Sequence, residues 1–261
     1  MKIHYQNPGF GHSVESILLF QTGEESPFWS EPLRYFYPQL NWNGLADLPA
    51  AEKRQYLTQM LAPVYAELQP ELDAKAARYN AHFAAHQPQI EAALSDAFEL
   101  DANALFNDLV GNITLNPICP RFLRQRTFDL FYKSSEAGAL GLSLHEVVHY
   151  FWFWVWHRHF GDSYEEYESP SLQWILSEMV VEALMSDPRL SSLNPYYPRE
   201  NGGCVYPYFQ TMQVEGAPVL QTLAALYKEH SITDFMEASY ALCRRNEAEI
   251  RRQIAAAEAS F

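Results

Sequence analysis

The feature that most constrains the fold of this 261-residue chain is the stretch from Leu142 to His159, which is apolar or aromatic on nearly every side of a helix. A helix of that composition belongs in a protein core. The stretch nevertheless contains His145, Glu146 and His149, and such side chains are costly to bury without a partner. We therefore expect these three residues to have partners in the core.

The segment His145-Glu146-Val147-Val148-His149 has the spacing of a metal site. Residues four apart on an α-helix share one face, so His145 and His149 can present their imidazoles to one ion, for which we expect Zn²⁺. Glu146 lies beside them, where a carboxylate can accept a proton from a zinc-bound water molecule. The segment thus predicts two metal ligands and a general base.

The same residues also permit an interpretation without a metal. Ser143-Leu144-His145-Glu146 has the form of a capping box, in which Glu146 bonds back to the backbone of Ser143. Both histidines would then be satisfied by ordinary core contacts. In either interpretation Gly138 and Gly141 predict a turn before the helix.

A catalytic zinc ion needs a third protein ligand and an open fourth position. The run from Leu172 to Met185 is helical by composition and carries Glu178 and Glu182 four residues apart on one face. One of them could bind the metal while the other fixes a metal-bound histidine. Glu168 is a further candidate, although Ser169-Pro170 directly after it favours a loop.

From about Asn112 to Asp187 the chain resembles the gluzincin metallopeptidases, the thermolysin-like group in which a His-Glu-x-x-His helix is followed by a second helix with a Glu ligand. The resemblance implies that Zn²⁺ is held by three side chains, His145, His149 and Glu178. Glu182 then either hydrogen-bonds a zinc-bound histidine or replaces Glu178 as the ligand.

The resemblance has two further implications. An edge strand upstream of the zinc helix pairs with extended substrate in this family, and Thr127 to Tyr132 occupies the equivalent position. An ordinary internal strand is the alternative. The family also supplies a Tyr or His that hydrogen-bonds the oxyanion formed during attack on the carbonyl. The candidates for that role here are Tyr206, Tyr208 and His230.

The remaining sequence predicts an α+β fold that is predominantly α. Pro49 to Leu100 is rich in Ala, Gln, Glu and Leu and should be helical, with Pro63 and Pro70 interrupting it and Pro88 opening a further helix. Farther on, the β-prone segments Ile113–Leu115 and Thr127–Tyr132 predict a small sheet.

We treat residues 1–261 as a single functional unit. It comprises a largely helical N-terminal part at about 1–111, a zincin-like metal-binding core at 112–190 with a small mixed sheet, and a C-terminal loop with helices at 191–261. The two terminal parts are helical additions to the core.

Composition excludes several classes of partner. A formal charge of −14 argues against nucleic acid, and the longest apolar run, Val147 to Trp156, is too short to span a membrane. The N-terminus lacks the pattern of a secretory signal. Three widely spaced cysteines, Cys119, Cys204 and Cys243, predict buried reduced thiols, so we expect a cytoplasmic protein.

The leading hypothesis is a zinc-dependent hydrolase that cleaves a peptide or protein substrate by attack of a zinc-bound water, with Glu146 as general base. One alternative is a non-catalytic zinc-binding or regulatory protein with a vestigial zincin site. Another is a helical interaction protein without metal. Metal content separates the last of these from the first two.

Overall fold

A computed structural model describes residues 1–23, 26–201 and 203–259, in which helices dominate and a small mixed sheet is present. The helices are α1 (Phe10–Leu18), α2 (Ser26–Phe36), α3 (Trp42–Ala46), α4 (Ala50–Phe98), α5 (Glu136–Phe160), α6 (Leu172–Leu184), α7 (Pro188–Ser191), α8 (Pro207–Thr211), α9 (Val219–Glu229), α10 (Ile232–Arg245) and α11 (Glu247–Glu258). The strands are β1 (Ile3–Gln6), β2 (Leu109–Thr114), β3 (Arg121–Phe122), β4 (Thr127–Phe131), β5 (Gln213–Val214) and β6 (Ala217–Pro218). The predicted α+β class with predominant helix is confirmed.

The larger sheet has the order β1-β2-β4-β3. Strands β1, β2 and β4 are parallel, whereas β3 is antiparallel to β4 and pairs Arg121 with Phe128 and Phe122 with Thr127. Because β4 has a partner on each side, the expectation that Thr127 to Tyr132 forms an edge strand for substrate is wrong. The sequence pattern identified β2 and β4 but missed β1, which is only four residues long.

The outer edge of β1 is covered by one side chain of α4. The Tyr5 backbone N–H donates to Asn80 Oδ1 at 3.0 Å, and Asn80 Nδ2 donates to the Tyr5 carbonyl at 2.8 Å. Asn80 therefore satisfies the backbone groups that an exposed strand edge would offer to another chain.

Helix α4 runs without a break from Ala50 to Phe98. The expected interruptions at Pro63 and Pro70 are therefore wrong, and Pro88 lies inside the helix rather than opening a new one. All three prolines are exposed. Pro63 and Pro70 are two turns apart and therefore lie on the same, solvent-exposed face of the helix. Water can hydrogen-bond to the backbone carbonyls that lose their helical partner there.

Helix α5 begins earlier than its glycines suggest. Ser135 caps it by accepting the Gly138 backbone N–H at 3.0 Å, and Gly138 and Gly141 lie inside the helix rather than in a turn. Ser143 Oγ donates to the Ala139 carbonyl one turn back, at 2.7 Å. Since Ser143 is in the helix interior, the capping-box interpretation of Ser143 to Glu146 is wrong.

The chain forms two compact units that interleave in sequence. The first contains Met1, His86–Phe106 and the described residues from Leu144 onward, and the second contains Lys2–Ala85 and Asn107–Ser143. The two units are built from discontinuous segments that pack together. They therefore differ from the three consecutive parts predicted at 1–111, 112–190 and 191–261. That residues 1–261 act as one functional unit stays a prediction.

The core of the first unit is helical. Helices α6, α9 and α10 pack on one another, and α5 contributes aromatic rings to the same core. Trp152 lies 5.8 Å from Phe235 and Trp156 lies 5.0 Å from Tyr240, measured between ring centroids. This packing buries most of α6 and the aromatic part of α5, as the apolar composition of the two helices predicts.

Among the described residues, no helix combines the length and the apolar character needed to cross a membrane. Of the three cysteines only Cys243 is buried, and burial raises the pKa of its thiol to about 12. Cys119 and Cys204 are partly exposed, so the expectation of three buried thiols holds for one of them.

Candidate metal centre

His145 and His149 lie one turn apart on the same face of α5, and their Nε2 atoms are 3.0 Å apart. With Glu146 they form a group whose potential ligand atoms all lie within 4.8 Å of one another. His149 is 1% exposed and Glu146 8% exposed, whereas the His145 side chain is 19% exposed. The group could hold a metal ion, and its accessible side is that of His145.

Glu178 of α6 reaches both histidines. Its Oε2 lies 3.5 Å from His145 Nε2, and its Oε1 lies 3.4 Å from His149 Nε2. Glu178 is only 4% exposed. Helix α6 is held at its start by Ser171, whose side chain accepts the Trp174 backbone N–H at 3.0 Å. A buried, capped helix thus presents this carboxylate to the two imidazoles.

The spacing of these donor atoms fits a zinc ion. Ligand atoms at about 2.0–2.2 Å from a tetrahedral zinc ion lie about 3.3–3.6 Å from one another. The separations among His145 Nε2, His149 Nε2 and the nearer Glu178 oxygens are 3.0, 3.5 and 3.4 Å. Two imidazole nitrogens and a carboxylate are also donors that zinc accepts. The residues present therefore fit the metal.

The charge at the site also favours a cation. Glu146 and Glu178 are both buried carboxyl groups. Burying two negative charges in one cluster is costly unless a positive charge compensates them. A divalent ion between the imidazoles and Glu178 would supply that charge and leave both histidines neutral, the form in which they bind metal.

The other acidic candidates occupy different environments. Glu182 lies one turn beyond Glu178 on α6 and is partly exposed. Glu168 is exposed and follows a 3₁₀ turn at Tyr164–Tyr167 rather than lying on a helix. Of the acidic candidates on α6, Glu178 is the one whose carboxylate oxygens are seen within 3.5 Å of both histidines in the described residues.

The candidate oxyanion residues lie in two places. Tyr206 precedes α8, and its ring centroid is 5.9 Å from that of Trp174, which lies one turn before Glu178 on α6. The Tyr208 ring stacks on Tyr206 at 5.3 Å. His230 is exposed at the end of α9, with Nδ1 2.9 Å from the Leu226 carbonyl, and within the described residues it has no contact with the histidine cluster.

Sequence reasoning missed two rings beside His149. The Phe153 ring is stacked on the His149 imidazole, with centroids 6.4 Å apart and planes inclined by 16°. Tyr167 stacks on Phe153 in turn, at 4.3 Å and 18°. The four-residue spacing of His149 and Phe153 could have identified the first ring, but nothing in the sequence marks Tyr167 as its neighbour.

Comparison of the chain with protein-family models, with curated proteins and with solved structures finds no match. A relation to the gluzincins accordingly rests on the residues and distances of the cluster alone.

Proposed function

We propose that this protein is a zinc-dependent hydrolase of the gluzincin type, a metallopeptidase that cleaves peptide or protein substrates. The observation that carries the proposal is the convergence of His145 Nε2, His149 Nε2 and the Glu178 carboxylate at separations of 3.0–3.5 Å. Three such donors with one partly exposed side are typical of a catalytic zinc site, in which the fourth position stays open.

In this proposal His145, His149 and Glu178 hold the metal. When bound, zinc supplies a Lewis acid that polarises the substrate carbonyl and makes a water molecule acidic enough to react near neutral pH. Glu146 would accept a proton from the attacking water molecule and return it to the nitrogen of the departing amine. The proximity of its carboxylate to the two imidazoles, within 4.8 Å, supports this role for Glu146.

Tyr206 is the candidate that the fold favours for binding the oxyanion. It packs on Trp174, on the same face of α6 as Glu178, whereas His230 lies at the exposed end of α9. A tyrosine hydroxyl is an ordinary hydrogen-bond donor at neutral pH and can stabilise a developing negative charge. Tyr208 supports it by stacking on its ring.

The proposal is tested by separating metal binding from turnover. Glu146→Gln removes the base but none of the three ligands, so zinc content should stay at the level of the parent while hydrolysis of a fluorogenic peptide library falls by about 10²–10⁴-fold. Glu229→Gln, an exposed substitution at the end of α9, is the matched control and should leave both unchanged.

Two results would contradict the proposed activity. A Glu146→Gln variant as active as the parent would remove Glu146 from the mechanism. A parent that binds zinc but cleaves no member of the library, at any pH at which it is folded, would instead establish the non-catalytic zinc protein.

A further inference from the structure

We propose that Phe153 is a positioning residue of the metal site: together with Tyr167 it forms a ring stack that fixes the plane of the His149 imidazole. This inference rests on the proposed function, since the orientation of His149 matters only if its Nε2 binds a metal. Phe153 stacks on His149 and Tyr167 stacks on Phe153, so both rings would act through His149.

The stack is a continuous, dry column. His149, Phe153 and Tyr167 are 1%, 3% and 1% exposed. The planes of successive rings are inclined by only 16° and 18°, with centroids 6.4 and 4.3 Å apart. The 6.4 Å separation lies within the range of about 4.5–7 Å that is usual for offset-stacked aromatic pairs, and the 4.3 Å separation is slightly closer, so each ring limits the tilt of the next.

The far end of the column is anchored. The Tyr167 hydroxyl donates to the Asp162 carbonyl at 2.9 Å, and burial raises the pKa of that hydroxyl, which keeps it protonated and able to donate. The Asp162 side chain in turn accepts the Trp156 Nε1–H at 2.8 Å. Trp156 lies on α5 with His149 and Phe153. Tyr167 is therefore linked through Asp162 to the same helix that carries the other two rings of the stack.

Stacking of this kind matters because the torsion that sets the plane of a histidine ring is broad and roughly two-fold. It lacks the narrow staggered wells that fix an aliphatic side chain. A metal ligand nevertheless has to aim its nitrogen within a few tenths of an ångström. By packing against the imidazole, the ring stack limits the tilt of the His149 ring.

The test compares Phe153→Leu with Phe151→Leu. Phe151 is equally buried on α5, but its ring packs on Phe98 at 5.5 Å and on Phe106 at 5.0 Å. Zinc affinity is measured by competition with a chromophoric chelator, and the geometry of the site by the visible absorption of the Co²⁺-substituted protein. We expect Phe153→Leu to weaken zinc binding by about 10–100-fold and to change the Co²⁺ spectrum, the size of effect usual for residues that orient a ligand. Phe151→Leu should leave both near the parent values.

A second pair keeps the test decisive if Phe153→Leu does not fold. Tyr167→Phe keeps the stacked ring but removes the hydroxyl anchor, and it should weaken zinc binding by at most about threefold. Tyr167→Leu removes the ring as well and should weaken it by about 10-fold or more. Equal losses in the Phe153 and Phe151 variants, or no loss in either Phe153→Leu or Tyr167→Leu, would overturn the inference while leaving the zinc site intact. A parent that takes up no zinc would overturn the proposed function and this inference together.

Discussion

The Nε2 atoms of His145 and His149 lie 3.0 Å apart on successive turns of α5. Two imidazole nitrogens at this distance share either one proton or one ion, because two N–H groups cannot point at each other. The Glu178 carboxylate lies within 3.5 Å of both. A divalent cation would satisfy all three groups at once.

Zinc should stabilise the folded protein. A ligand that binds only the native state adds about 2.7 kcal/mol at a free concentration 100 times its dissociation constant. For a chain of this size that corresponds to a rise in Tm of about 5–10 °C. Scanning calorimetry of chelator-treated protein with and without added Zn²⁺ measures the shift, and His149→Ala should abolish it. Identical melting of the parent in both conditions would contradict a structured zinc site.

A separate titratable pair lies in the second unit. Asp129 of β4 is fully buried, and its Oδ1 is 2.8 Å from Nε2 of His12 on α1. Asn112 Nδ2 donates to the same oxygen at 3.3 Å, and Oδ2 has no hydrogen-bond partner among the described residues. The hydrogen bond to Asp129 raises the pKa of His12 above its ordinary value of 6.5. The proton on His12 therefore compensates a buried carboxylate.

This pair predicts a pH-dependent stability. Because the folded state holds the His12 proton more tightly than the unfolded state, the contribution is complete below about pH 6.5 and is lost as the pH rises through the raised folded value. His12→Gln should cost about 1–2 kcal/mol in urea unfolding at pH 5.5 and progressively less at alkaline pH. The exposed His4→Gln is the control. A cost for His12→Gln that is the same at pH 5.5 and pH 9.5 would rule out the linkage.

Helix α4 should become more stable without its internal prolines. Pro70 is exposed in the helix interior, where it removes one backbone hydrogen bond. An interior proline costs about 3 kcal/mol relative to alanine, offset by about 0.4–1 kcal/mol through the unfolded chain. We expect Pro70→Ala to raise the free energy of unfolding by about 1–3 kcal/mol, and Pro49→Ala, just before the helix, to bring no gain. Equal effects of the two substitutions would contradict an uninterrupted α4.

The prolines also show where sequence reasoning about the fold fails. Local sequence preferences predict that the helix breaks at Pro63 and at Pro70. They do not take into account that both prolines lie on the solvent-exposed face of one helix, where water replaces the lost backbone hydrogen bond. The short strand β1 was not predicted from the sequence for a similar reason. Its stability comes from pairing with β2, more than 100 residues away in sequence. Composition alone was sufficient to predict helix α6 and the helical character of α5.

The candidate site divides in the same way. The i, i+4 rule brings His145 and His149 together without any tertiary information. The choice between Glu178 and Glu182 depends on how α6 is rotated about its axis toward α5, which packing decides and a helical pattern cannot. The contact between Tyr167 and Phe153 could not be predicted from the sequence at all, because it depends on the position of a 3₁₀ turn in a loop.

The central claim is that His145, His149 and Glu178 hold zinc. Its most direct test is elemental mass spectrometry of protein purified without chelator, applied to the parent, to Glu178→Gln and to Glu182→Gln. We predict about one zinc per chain in the parent, a large loss in Glu178→Gln, and retained zinc at saturating metal in Glu182→Gln. A parent that contains no zinc and takes up none on titration would contradict the claim.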